Sequence, residues 1–237
     1  MDIPDRLWTI DFETTGLDPK TCHPVEVALY KPNLPWERLI KPPIPIPPET
    51  SAIHHITDED VVDAMDWPHV KDTTWAAIEG TPLPILVAHN AAYEKDVLGE
   101  FTPVIWICTY KCALRVWPDA PAHKNEVLRY WLKLGDNLGR RGSQAAHSAL
   151  HDCKVTYLIL QKLLEHATIE QLVEWTEQPA QLPKMPLGKH FGQKWDTIPA
   201  PYLDWIVKQV DMREDVKACA QSELSRRKSN YATHRSS

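Results

Sequence analysis

Asp11 and Glu13 stand two residues apart, in Asp11-Phe12-Glu13, where the apolar run Leu7–Phe12 ends. Residues i and i+2 of a strand share a face, so both carboxylates project side by side. Two such anions repel and lose hydration unless a cation lies between them. Further along, Asp96 falls in the helical stretch His89-Asn90-Ala-Ala-Tyr-Glu-Lys-Asp96, and Asp152 follows His147 by five residues at the start of a longer one. Oxygen ligands from several carboxylates suit Mg2+ or Mn2+ rather than zinc. A histidine beside such a site is a candidate general base. Each residue also has a plainer reading. A strand end carries two acids harmlessly, and Asp96 beside Lys95 reads alone as a surface acid. Asn90 reads as the cap of the following helix.

These residues need a frame. Leu7–Phe12, Pro24–Lys31 and Trp36–Lys41 read as strands, joined by links too short for crossover helices, so they should pair antiparallel. Pro42–Glu49 holds five prolines in eight residues and reads as extended loop. Thr57 with Asp58-Glu59-Asp60 reads as a helix start, with one or two short helices running to Glu79. Pro84–Ala88, Ala91–Phe101 and Val104–Cys108 form a strand–helix–strand unit, which predicts a parallel crossover. Helices are expected at Tyr110–Trp117, Asn125–Leu134 and Ser148–His166, and from a Thr168 cap to Gln178. Gly135–Gly142 reads as a loop. Together these elements predict an α/β fold with a five-stranded mixed sheet flanked by helices.

Gln178–Pro186 carries three prolines and reads as a linker. The expected division is therefore a body over 1–178, a linker over 179–186 and a small α-rich module over 187–237, its last dozen residues frayed. Trp131, Trp175 and Trp205 fall at helical apolar positions and read as core. The 237 residues carry a net charge of −6. Residues 1–183 hold 16 Lys+Arg against 26 Asp+Glu, whereas residues 184–237 hold 10 against 6. An acidic body suits bound cations and a basic end suits a polyanion. Lys189 and Lys194 sit in the glycine-containing part of that end. No apolar run reaches the ~18 residues of a membrane span. Five cysteines without a CxxC pair argue against zinc or a disulfide framework. The absence of a signal-like start fits a reducing cytoplasm.

Asp11-x-Glu13, His89-Asn90…Asp96 and His147-x4-Asp152 resemble the three motifs of the DEDDh (DnaQ-like) 3′–5′ exonucleases. Thr14-Thr-Gly-Leu17, Glu26 and Ile53-His54-His-Ile-Thr57 extend the match over roughly residues 5–165. Ser148 excludes the tyrosine-bearing branch. The tail from Met185-Pro-Leu-Gly-Lys189 through Phe-Gly-Gln-Lys194 to Tyr202-Leu-Asp-Trp205 is similar to that of bacterial DNA-degrading members. The resemblance implies a ribonuclease H-like sheet and two-metal phosphodiester hydrolysis at DNA 3′ ends, single-stranded or duplex, in repair or turnover. It implies two Mg2+ or Mn2+ ions on Asp11, Glu13, Asp96 and Asp152, with His147 as general base. His151 has the wrong spacing and reads as a packing or solvent residue. Thr14, Leu17, His54, Asn90, Lys189 and Lys194 are the candidate substrate contacts. RNA trimming, polymerase proofreading and a silent nucleic-acid-binding module are the alternatives, and the intact carboxylates weigh against the last. Oligomeric state is not legible.

Overall fold

The computed structural model describes residues 3–233 except 79–80, 82, 100–102, 136–137 and 139–147. Five strands form one sheet: β1 (Leu7–Thr14), β2 (Pro24–Lys31), β3 (Leu34–Leu39), β4 (Ile85–Ala88) and β5 (Ile105–Cys108), in the order β3-β2-β1-β4-β5. β2 pairs antiparallel with β1 and β3, while β4 runs parallel to β1 and β5. This is the expected mixed sheet.

Alternation along the strands sends apolar side chains to both faces. Leu7, Ile85, Val87 and Ile107 meet α4 (Thr109–Val116), α5 (Asn125–Trp131), α6 (Ala149–Leu163) and α7 (Ile169–Glu177). Trp8, Ile10, Leu86 and Trp106 meet α2 (Trp67–Ile78) and α3 (Ala91–Leu98) on the other face. Truncating a side chain as buried as Leu160 to alanine costs about 2–5 kcal/mol. Thr168 and Gln171 close a reciprocal capping box on α7, as the sequence signals.

The structure departs from expectation at the punctuation. The proline run does not stay extended: Pro48 starts α1 (Pro48–His54), because a proline's fixed φ and missing N–H suit a first helical turn. Residues 58–63 are turns rather than helix, with Asp60 accepting from the Thr57 hydroxyl and amide at 2.8 Å. Asn90 begins α3 without capping it. Its φ is +83° and its side chain makes no cap bond.

At the C-terminal end, α8 (Ala200–Lys208) and α9 (Glu214–Thr233) enclose a third apolar cluster. The proline-rich segment is not a free tether, since Ala180, Leu182 and Met185 are buried in that cluster, which Leu114 of α4 also joins. Nor is the tail frayed from Ser225, because α9 continues to Thr233. Arg226 and Arg227 both pair with Glu223. Arg227 also donates to the carbonyls of Trp195, Asp196 and Ile198. Arg227 thus braces the module, whereas Arg226 is paired within α9 and keeps its side chain half exposed. Among the described residues, no helix is long and apolar enough to cross a membrane.

Candidate active site

Leu7, Thr9, Asp11 and Glu13 share one face of β1, the face covered by α6. Apolar packing uses the first part of that face, so the carboxylates fall at its end, beside the first turn of α6. There, ligand oxygens of Asp11, Glu13 and Asp152 lie within 4.8 Å of one another. The β1–β2 register breaks between Glu13 and Thr14. Such a bulge re-aims the chain just past the carboxylates.

α6 is held in place from β2. Glu26 lies opposite Glu13 in the ladder, and its Oε2 accepts from the Ala149 amide at 2.8 Å. A carboxylate on a first-turn amide satisfies an orphan donor and suits the positive end of the helix. Ser148 caps the same turn by accepting from the His151 amide. Asn125 ties α5 to α6 through the Asp152 carbonyl and the Thr156 hydroxyl. His151 is buried and pairs with Glu126 at 2.9 Å, beside Arg129. It is a packing residue, as its spacing indicates.

The electrostatics are those of crowded anions. Burial, then Asp152, Glu94, Glu13 and Glu26, push the Asp11 carboxyl well above the usual range. Burial, then Asp152 and Glu26, push Glu13 up to about 8. Glu26 is also raised, first by burial and against the opposing Ala149 amide. Such a cluster holds its protons until a cation replaces them. All-oxygen donors gathered this way fit a hard divalent ion.

α3 corrects one expected ligand. Asp96 is exposed on its outer side, and neither it nor Glu94 is among the three acids whose oxygens lie within 4.8 Å of one another. Glu94 is only 5% exposed, acts on Asp11, and is raised by burial to about 8. Residues two apart on a helix point about 200° apart, so one acid at most can face β1. The sequence signal was present: Glu94 lies in phase with buried Ala91, Val97 and Leu98. His147 lies outside the described residues.

The turn after β1 is clamped. The hydroxyls of Thr14 and Tyr93 both reach the Gly16 carbonyl, at 2.7 and 2.9 Å, and lie 2.6 Å from each other. Thr14 is therefore committed internally. Leu17, carried on the same turn, is 88% exposed, which rules out its serving as a core plug. His54 is buried. Its Nδ1 accepts from the Ile56 amide at 3.0 Å, and Nε2 turns toward the Thr14 backbone without a well-formed hydrogen bond. Burial lowers its pKa. His89, pushed down to about 4 by burial, is neutral. Its Nε2 donates to the His123 carbonyl, leaving Nδ1 to accept from Thr109. Asn90, Lys189 and Lys194 are exposed.

Comparison with known proteins agrees with this geometry. The exonuclease (RNase_T) family model matches residues 8–160. Exodeoxyribonuclease 10 of Escherichia coli K12 is 31% identical over 214 residues, covering 85% of this chain and 90% of that protein. A structure of exonuclease X in complex with 5′-overhanging duplex DNA superposes with TM-score 0.59 at 33% identity, over 72% of this chain and 99% of the other. The nuclease domain of 3′hExo, a DEDDh member bound to rAMP, shares the fold with TM-score 0.54 at 21% identity, over 67% of this chain and 91% of that one. DEDDh exonucleases are metal-dependent, and this chain carries the acidic cluster for a metal. The chain belongs to the exonuclease family, in its DEDDh branch.

Proposed function

We propose that this chain hydrolyses phosphodiester bonds one nucleotide at a time from DNA 3′ ends, in DNA repair or turnover in the cytoplasm. The observation that carries this reading is the meeting of Asp11, Glu13 and Asp152 within 4.8 Å, although 138 residues separate Glu13 from Asp152. The relative at 31% identity is an exodeoxyribonuclease, and the 33% identical structure was solved with DNA.

Asp11, Glu13 and Asp152 would hold Mg2+ or Mn2+, two ions by this reading, with Glu94 supporting the site in place of Asp96. Bound there, such ions would supply charge stabilisation to the attacking and leaving oxygens of the scissile phosphate. His147 takes the proton of the attacking water, as a histidine beside such a site can. Glu26 fixes α6 and therefore Asp152. Leu17 stands exposed to lean against the terminal bases, and the exposed Asn90 side chain faces the incoming strand. An apolar wedge lowers the cost of parting an end pair. Residues 1–178 form the nuclease body, 179–186 the connection, and 187–237 a module that holds the substrate.

The test is digestion of 5′-labelled DNA and RNA oligomers side by side, with Mg2+ and with a chelator. A metal-dependent ladder on DNA, faster than on RNA, supports the reading. A ladder on RNA alone overturns the DNA assignment, and none on either overturns the activity.

A further inference from the structure

The segment from Lys184 to Trp205 forms a small platform within the module proposed to hold the substrate, away from the carboxylates. Lys184 and Lys194 face each other across an antiparallel bridge, and the Met185 amide donates to the Gln193 carbonyl at 2.9 Å. Side chains alternate across a strand. Met185 is buried in the third cluster, so its neighbour Lys184 and the opposed Lys194 turn to solvent. Like charges directly opposite are destabilising. Yet residues 184–194 contain three lysines and no acid. Among the described residues, none of the three forms an ion pair.

Aromatic rings lie beside these cations. Phe191, next to Gly192 at φ +76°, is 73% exposed. His190 packs on Tyr202 with centroids 4.5 Å apart, and Tyr202 on Trp205 at 5.2 Å. Trp205 is 47% exposed, which corrects its reading as core. Tyr202 and Trp205 are three apart on α8 and share a face. Gly188 is required here: its φ is +70°, and a Cβ would lie 3.1 Å from the Tyr202 hydroxyl. The platform is held from behind by Trp195 Nε1, which donates to the Leu182 carbonyl at 2.6 Å, and by the Arg227 bonds to the carbonyls of Trp195, Asp196 and Ile198.

We propose that this lysine-flanked ring row is a second DNA-binding site, which takes the unpaired strand of a substrate outside the active centre. Unpaired lysines answer phosphates, and exposed ring faces answer unstacked bases; that combination is the physics of single-strand binding. Bases inside a duplex are already stacked and gain nothing from Phe191. DNA rather than RNA rests on the reading given above.

The test uses the full chain with metal chelated, so that nothing is cut, and fluorescence anisotropy of an oligothymidine of about 20 nucleotides against a blunt duplex of the same length. Phe191→Ala should weaken single-strand binding about tenfold and barely change duplex binding, and Phe191→Trp should restore it. Lys184→Gln with Lys194→Gln should lower the salt slope on the single strand by about 1.4, at ~0.7 per contact. Equal melting temperatures check the folds, and Phe191 is too exposed for its loss to disturb packing. Unchanged single-strand binding by Phe191→Ala, or equal loss on duplex, overturns the proposal. So does Phe191-dependent capture by phosphatidylserine vesicles without any effect on DNA. A wild type that binds the oligothymidine through Phe191 but digests no DNA once Mg2+ is added overturns the proposed activity and leaves this site standing.

Discussion

Glu94 and Asp96 are two positions apart on α3 and face opposite ways, Glu94 buried toward Asp11 and Asp96 out to solvent. Glu94 is thus the acid of α3 that acts on Asp11, and it is the one proposed to support the site. Glu94→Gln should cut the cleavage rate about 10–100-fold, the usual cost of losing a group that supports metal ligands. Asp96→Asn should stay within about twofold, as for exposed surface changes. Single-turnover rates at saturating Mg2+ decide between them.

The raised carboxyls set a pH dependence. Glu13 and Glu94 are held near 8 without a metal, above their ordinary 4.5. An acid whose folded pKa is raised contributes stability below its unfolded pKa, and loses it as pH rises through the folded one. The metal-free chain should therefore lose melting temperature from about pH 4.5 to pH 8 through these groups. Mg2+ binds the ionised form and should restore it. Melting curves with chelator and with Mg2+ across this range should diverge as pH rises. A constant gap would contradict the cluster.

Glu26 is a support rather than a ligand. Glu26→Ala removes the acceptor of the Ala149 amide and should cost about 1–3 kcal/mol. In a chain of this size that lowers the melting temperature by ~2–4 °C per kcal/mol. Thermal unfolding in chelator reads this directly.

Leu17 is the proposed wedge, and Tyr93 clamps the turn that carries it. Leu17→Ala should slow trimming of blunt duplex more than of single strands. Tyr93→Phe removes a hydroxyl from Gly16 and should do the same more weakly. Proportional loss on both substrates would show that the turn does not part the end pair.

Much of this was legible in the residues. Alternation in β1 placed Asp11 and Glu13 on one face, and short links forced β1, β2 and β3 antiparallel. The spacing Val155, Leu158, Ile159 and Leu163 announced α6. The phase of α3 selects Glu94 over Asp96; the apolar positions Ala91, Val97 and Leu98 carry that phase, and the motif match to Asp96 masked it. What else escaped depended on neighbours. The jobs of His54 and Thr14 lie in hydrogen bonds to Ile56, Gly16 and Tyr93, which local sequence does not encode. Arg226 and Arg227 looked like a loose basic tail, until Glu223 one helical turn earlier claimed both.

The most direct measurement is the digestion of 5′-labelled DNA by Asp11→Asn beside the wild type, in Mg2+ at neutral pH, with both melting temperatures recorded. The cluster of Asp11, Glu13 and Asp152 requires that the variant stay folded and leave the DNA intact, while the wild type produces a ladder. A folded Asp11→Asn chain that digests DNA at the wild-type rate would contradict the account.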